Sequence, residues 1–351
     1  MHFRLGELFC GPGGLAIGAT HADIGDPAWS IQHQWATDYD FDTCQTYRAN
    51  ICPDDTDSVI HADIRELDYT RLHERGAIDG LAFGFPCNDF SIVGEHKGVT
   101  GKFGPLYTYG AEALRQFQPQ WFLAENVGGI RTANEGRAFA MIQDAFADAG
   151  YKLVTNLYKF EQYGVPQARH RVIIIGIRND LDVEYRVPST APYADADVSV
   201  RTALTDPPIT EDMTGNERTR QSEIVKQRLA LIQPGQNAWT ADLPEHLQIK
   251  SQTRISQIYK RLHPDKPSYT VTGSGGGGTH IYHWTEPRAL TNRERARLQT
   301  FPDTYNFVGS KESVRKQIGM AVPARGAQVI FEALLRSFKG DTYAWQEPSM
   351  R

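Results

Sequence analysis

The chain has 351 residues, 40 per cent of them apolar and 11 per cent aromatic, enough for one large domain with a real core or for a large domain and a smaller one. Its net charge of -5 gives no global pull toward nucleic acid, so such a partner would have to be met by one locally basic face. No N-terminal stretch has the basic flank and apolar run of a signal peptide, and no window resembles a membrane span, so a soluble, cytoplasmic chain is expected. Cys10, Cys44, Cys52 and Cys87 form neither a CxxC pair nor a disulfide framework, which points to a reducing compartment and leaves a thiolate free for chemistry.

In chain order, the apolar run Phe3 to Phe9 reads as a strand entering a glycine-rich turn, followed by a helical stretch from Leu15. A second strand-helix unit spans Gln34 to Asn50. The apolar segment Gly80 to Phe85 runs into Pro86 and Cys87, and Trp121 to Ala124 and Arg171 to Ile177 read as further buried strands. Strands alternating with helices predict a doubly wound, mostly parallel Rossmann-like α/β sheet. Past about residue 180 the texture turns to Pro, Thr, Asp and Gln, which predicts a second, smaller domain at 181–317, with 1–180 and 318–351 forming the larger one. Within the smaller domain, residues 180–214 carry two basic and eight acidic side chains, whereas 215–262 carry eight basic (Arg218, Arg220, Lys226, Arg228, Lys250, Arg254, Lys260, Arg261) and four acidic. The second stretch is read as a phosphate-contacting surface or, equally, a solvated face. Helical periodicity returns at Asn292 to Thr300 and from Val314 to Phe338.

Four segments carry chemistry. The turn Phe9-Cys10-Gly11-Pro12-Gly13-Gly14-Leu15 lets a nucleoside-type ligand approach the backbone. Taken alone it also fits a dinucleotide site or an empty tight turn, although Pro12 and Gly14 break GxGxxG. Asp38, at the end of the second strand, suits ribose hydroxyls, and Asp63 an adenine amino group. Gly84-Phe85-Pro86-Cys87-Asn88-Asp89-Phe90-Ser91 places a cysteine where open α/β sheets keep their sites, and Gly94, Gly98, Gly101 and Gly104 give the following loop the hinges of a lid. Glu125-Asn126-Val127 puts a carboxylate on the same edge. In Gln167-Ala168-Arg169-His170-Arg171 the two arginines alternate onto one face of a strand.

In this order the segments resemble the motifs of the DNA (cytosine-5)-methyltransferases: Phe-x-Gly-x-Gly-Gly, Pro-Cys, Glu-Asn-Val and Gln-x-Arg-x-Arg. The likeness continues through Arg288-Ala289-Leu290-Thr291-Asn292-Arg293-Glu294, Leu298 to Asp303, and Lys316 to Val322. The resemblance implies S-adenosyl-L-methionine as cofactor, held by Phe9, Gly11, Gly13, Gly14 and Leu15, with Asp38 on the ribose, Tyr39, Asp63 and Ile64 on the adenine, and Leu106, Met320 and Val322 closing the site. It implies Cys87 as nucleophile toward C6 of a flipped-out cytosine, Glu125 on N3 and the exocyclic amine, and Arg171, with Arg169, where negative charge grows at O2. Double-stranded DNA is the implied substrate, read by the small domain with Ser91, Arg254 and Lys260 among the contacts. A monomer is expected, with a separately acting restriction endonuclease as companion and no metal. The same chemistry would serve an RNA cytosine-5 methyltransferase, and a catalytically silent DNA-binding relative is the rival outside enzymes. Three positions depart from the family pattern: Asn88 for glutamine, Phe103 for arginine in the lid, and Met320 for the asparagine of Gly-Asn-x-Val. Met320 removes a polar side chain near the expected amino-acid end of the cofactor, so either weaker binding or a modified donor follows.

Overall fold

The computed structural model describes residues 1–86, 106–250, 255–273, 275 and 278–350, with backbone alone for 132–135. In chain order its elements begin β1 (His2–Leu8), α1 (Gly14–Thr20), β2 (Ser30–Asp38), α2 (Phe41–Ile51), β3 (Val59–His61), α3 (Tyr69–Glu74) and β4 (Gly80–Gly84). They continue with α4 (Tyr107–Phe117), β5 (Trp121–Val127), α5 (Arg137–Asp148), β6 (Tyr151–Lys159), β7 (Gln167–Ala168), β8 (His170–Arg178) and β9 (Val187–Pro188). Last come α6 (Val200–Thr205), α7 (Glu223–Leu231), β10 (Ser268–Tyr269), α8 (Asn292–Leu298), α9 (Lys311–Met320), α10 (Ala324–Lys339) and β11 (Trp345–Gln346).

Two compact units result. The first comprises 1–159, 170–194 and 326–351; the second comprises 160–169 and 195–325. The boundaries expected at 180 and 318 shift for a physical reason. Residues 160–169 join the second unit because β7 pairs in parallel with β10, Gln167 with Ser268 and Ala168 with Tyr269, while the Gln167 side chain bonds Gln299 at 2.8 Å and accepts from the Val271 N–H at 2.7 Å.

The first unit is a seven-stranded sheet in the order β3-β2-β1-β4-β5-β8-β6. The pairs from β3 to β5 are parallel, and β8 runs antiparallel to both β5 and β6. This is the doubly wound, mostly parallel sheet expected. The apolar runs of β1, β4 and β5 are buried on both faces, as central parallel strands require. On one face Phe83 and Phe122 stack at 5.8 Å and meet Phe146 of α5 edge-on; on the other Trp121 packs against Phe331 of α10, and Phe3 against Phe338. Where such rings lie across the sheet, their neighbours must be small. A Cβ on Gly80 would fall 2.1 Å from the Trp121 ring, and one on Gly176 would fall 1.9 Å from Phe122. Asp40 caps α2 by accepting from the Thr43 N–H at 3.0 Å, which fixes where β2 hands over to its helix.

The second unit has little regular structure beyond short helices. α8 opens with a reciprocal cap between Thr291 and Glu294. The stretch Lys311–Lys339 is apolar and long enough to cross a membrane by composition, but 78% of that window is buried. The helical periodicity expected from Val314 to Phe338 falls in α9 and α10, which are separated at Ala321–Pro323, where Pro323 supplies no N–H to continue a helix.

Candidate active site

The C-terminal ends of β1, β2, β4 and β5 in the first unit bring the predicted residues to one edge of the sheet. The chain leaves β1 with Phe9 at φ +52°, Gly11 at +57° and Gly13 at +90°, three left-handed steps in five residues that a glycine-rich sequence permits. Asp38 ties this turn to β2: its Oδ2 accepts from the Gly11 N–H and its Oδ1 from the Asp40 N–H, both at 3.0 Å. Burial pushes its pKa up, and these backbone donors oppose the shift. A carboxylate has about four lone-pair positions, so Asp38 can hold the turn and still accept from hydroxyl groups. Beside Gly11 the space is open: among the described residues nothing beyond its chain neighbours lies within 4 Å of where a side chain would begin.

Next to Asp38, Tyr39 and Phe41 are exposed at 58% and 55%, and Phe41 meets His61 edge-on at 5.5 Å. Exposed rings beside an acidic strand end suit a flat heterocycle. Asp63 and Ile64 follow β3, and Ile64 is buried. Asp63 already accepts from Arg65 through Nε at 2.9 Å and through the backbone N–H at 3.0 Å. This pairing holds its carboxyl down at about 2. Leu15 and Leu106 are buried, Leu106 at the start of α4.

Glu125 sits inside β5, one residue beyond the expected strand end at Ala124, opposite Gly84 of β4 and Ile173 of β8. Its Oε1 lies 2.7 Å from Arg171 Nε, and the two side chains are 13% and 12% exposed. Gly84 leaves room for the carboxylate, since a Cβ there would lie 3.1 Å from Oε2. Asn126, which sequence reasoning gave no role, donates from Nδ2 to the Phe85 carbonyl at 3.0 Å and is 4% exposed. It fastens the chain two residues ahead of Cys87 to the strand that carries Glu125. Cys87, Ser91, Asn88, Phe103 and Arg254 lie outside the described residues.

Arg169 and Arg171 do not share a strand face. β7 ends at Ala168 and β8 begins at His170, because the Arg169 N–H turns back to the Gln167 carbonyl at 2.9 Å. Arg169 belongs to the second unit and is 1% exposed. Its guanidinium donates to the carbonyls of Val271 at 2.9 Å and Met320 at 3.3 Å, a structural engagement that differs from the expected catalytic one.

In the second unit Arg288 is held bidentate by Glu294, both contacts at 2.8 Å, and by Glu286 at 2.9 and 3.0 Å. These groups line a cavity of about 530 Å³ with Trp284, Arg218 and Asn216. The basic stretch is less of a surface than its count suggests. Arg261 is 4% exposed and spends its donors on the Leu229, Ile232 and His283 carbonyls. Lys260 holds its ammonium 4.7 Å over the Tyr269 ring. Met320, at the end of α9, is 46% exposed, and Val322 is buried. Among the described residues no three His, Cys, Asp or Glu side chains group to hold a metal ion.

Comparison with known proteins bears on these groups. The family model for C-5 cytosine-specific DNA methylase matches residues 3–336. The Type II methyltransferase M.BbvI of Brevibacillus brevis is 58% identical over 347 residues, 96% of this chain and 92% of that one. The Type II methyltransferase M.NgoFVII of Neisseria gonorrhoeae is 36% identical across 96% of this chain and 87% of its own. Among solved structures, a DNA modification methyltransferase encoded within an E. coli prophage superposes with a TM-score of 0.74 at 23% identity, covering 96% of this chain and 99% of that one. The Entamoeba histolytica methyltransferase EhMeth superposes at 0.67 with 13% identity, again covering 96% and 99%. At those identities the structures show a shared fold.

Proposed function

Since the chain belongs to the C-5 cytosine-specific DNA methylases and is a DNA (cytosine-5)-methyltransferase of the Type II restriction-modification kind, we propose that it methylates C5 of a cytosine flipped out of duplex DNA, through a covalent bond from Cys87 to C6. The observation that carries this reading is the Glu125–Arg171 pair at 2.7 Å, on the strand that Asn126 ties to the segment leading into Cys87.

The turn after β1 fits S-adenosylmethionine, with main chain and open space at Gly11 and acceptor capacity left on Asp38. Phe9, Gly11, Gly13, Gly14 and Leu15 would flank it, Asp38 would take the ribose, Tyr39, Asp63 and Ile64 the adenine, and Leu106, Met320 and Val322 the remaining sides. When bound, this cofactor supplies an electrophilic methyl group.

Cytosine C5 is a poor nucleophile until C6 gains an electron pair. A thiolate at Cys87 would add there, with local activation because a free thiol is mostly protonated at neutral pH. Glu125 would bond N3 and the exocyclic amine as the ring loses aromaticity, and Arg171 would hold O2, where negative charge develops. Their mutual contact keeps both side chains oriented before the base arrives, so little reorganisation is left for the reaction itself. Loss of the C5 proton and departure of Cys87 then restore the ring. Because C6 cannot be reached inside a duplex, the base must leave the stack, at a cost of a few kcal/mol. The second unit would read base edges, and a restriction endonuclease sharing the recognition sequence would act separately. DNA from an expressing host, digested to nucleosides, should yield 5-methylcytosine confined by bisulfite mapping to one short sequence. Unmodified DNA, or methylation found in RNA instead, would overturn the proposal.

A further inference from the structure

α8 carries three buried arginines, and they are satisfied unequally. Arg297 pairs with Asp303 through Nε at 2.8 Å. Arg293 donates to the carbonyls of Thr214, Pro302 and Tyr305 at 3.0 to 3.2 Å. Arg295, 1% exposed, makes two long contacts among the described residues, to the Thr272 carbonyl and to His280 Nδ1, each 3.4 Å, and its Nε has no partner among them. The nearby Glu294 is committed to Arg288.

Arg315 on α9 repeats the pattern. Among the described residues its Nε is buried without a partner, its side chain is 12% exposed, and its ion-pair contact is Glu312 at 4.0 Å, a carboxylate itself 72% exposed. Gly275 presses main chain against this group: a Cβ there would fall 2.6 Å from His280 Cε1 and 2.7 Å from both Nε and Cζ of Arg315. His280 therefore lies between two guanidiniums. Burial, then Arg295 and Arg315, push its pKa down to about 4, so it is a neutral ring whose Nδ1 faces Arg295 and whose Nε2 carries the proton. Burial, then Arg315, lower Arg295 to about 10.

Like charges buried together without a close carboxylate are costly, and a folded chain keeps them where an anion offsets the cost. We infer that Arg315 and His280, backed by Arg295, form an anion site in the second unit that takes one backbone phosphate of the DNA substrate. The inference rests on the function proposed above, which brings a polyanion to this unit. Arg315 would donate to the phosphate through its terminal nitrogens, and His280 through Nε2–H. Arg295 would stay inside, fixing the His280 tautomer and adding charge. The contact would set position along the duplex without reading a base. It differs from Lys260, whose ammonium is occupied by Tyr269.

The test is equilibrium binding of the full chain to a fluorescent duplex across a salt series. Arg315→Gln should weaken binding about 10-fold and lower the slope of log affinity against log salt by about one, as for one lost phosphate contact. Arg315→Lys should retain the slope, and His280→Gln should fall between. S-adenosylmethionine affinity should be unchanged in all three. An unchanged slope in Arg315→Gln, with the variant folded by circular dichroism, overturns the inference. Loss of cofactor affinity instead would assign the anion to the cofactor carboxylate, and a melting temperature raised by millimolar inorganic phosphate over chloride at equal ionic strength, in the parent alone, would assign it to free phosphate. Either result also overturns it. The cytosine-methylation reading is judged by 5-methylcytosine formation in the parent protein, so the two can fail separately.

Discussion

Replacing Glu125 by glutamine keeps the shape of the side chain and removes its charge, which separates holding Arg171 from stabilising the base. The pair sits at 2.7 Å with both side chains about one-eighth exposed. Removing one partner of a fully buried pair costs about 3–5 kcal/mol. Here the residual exposure and the remaining amide oxygen, which still accepts from Arg171, bring the stability loss down to about 1.5–3 kcal/mol, the value of a hydrogen bond to a charged group. Methyl transfer should suffer more. A carboxyl group that gives its proton to N3 only as the ring is broken contributes to the transition state, and such groups are worth about 100- to 1,000-fold in rate, or about 2.7–4 kcal/mol. The assay is single-turnover transfer of a radiolabelled methyl group at saturating DNA and cofactor, with urea melts of the same preparations. A Glu125→Gln protein that melts earlier yet transfers at the parental rate per folded molecule would make the pair a strut and refute the catalytic assignment. Arg171→Leu and the double variant complete the cycle. If the two single losses in rate simply add, the groups act independently and not as one unit.

Asn126→Ala frees the Phe85 carbonyl and should lower kcat at least 10-fold, consistent with a misplaced nucleophile loop, while leaving KM for S-adenosylmethionine unchanged; a KM effect alone would contradict it. Glu7 is 1% exposed, accepts from Tyr47 at 3.0 Å and is pushed up to about 8, chiefly by burial. The folded state thus holds a proton there that the unfolded chain releases near its ordinary carboxylate value. That stability is fully present below the ordinary value and is lost as pH rises through the folded one, at a slope of about 1.4 kcal/mol per pH unit between them. Glu7→Gln should flatten stability against pH from 5 to 8 relative to the parent, and parallel curves would refute the raised value. Met320→Asn should bind S-adenosylmethionine about 10-fold more tightly if a missing polar contact is restored, with 5-methylcytosine as product in both proteins; equal affinity by calorimetry would mean a neighbour already compensates.

Much of the strand edge proposed for catalysis was legible because its residues stand at strand ends that announce themselves as apolar runs closed by glycine, proline or charge. β1, β4 and β5 read this way, and with them Glu125, while Asp38 closes β2. The sense of β8 was not legible: an apolar run in a central strand looks the same in either direction, and only pairing with β5 and β6 shows it antiparallel. The spacing of Arg169 and Arg171 misled for a related reason. Alternation implies a common face only if the strand is continuous, and the turn at Arg169 divides the residues between units. Counting charges from 215 to 262 overstated the surface, because a guanidinium that caps four carbonyls, as Arg261 does, is indistinguishable in sequence from one in water. Asn126 could have been suspected from its place between Glu125 and Val127, but its partner is a main-chain carbonyl 41 residues away, and nothing in the sequence marks a carbonyl.

The central claim, a covalent bond from Cys87 to C6 of an extruded cytosine, is tested most directly with a duplex carrying 5-fluorocytosine at the recognition site. The fluorine cannot leave as the C5 proton does, so with S-adenosylmethionine present the parent protein should be trapped as a DNA adduct stable to denaturing electrophoresis, and peptide mass spectrometry should place the bond on Cys87. Cys87→Ala should bind the same duplex and form no adduct. An adduct on another residue, or one that persists in Cys87→Ala, would contradict the account.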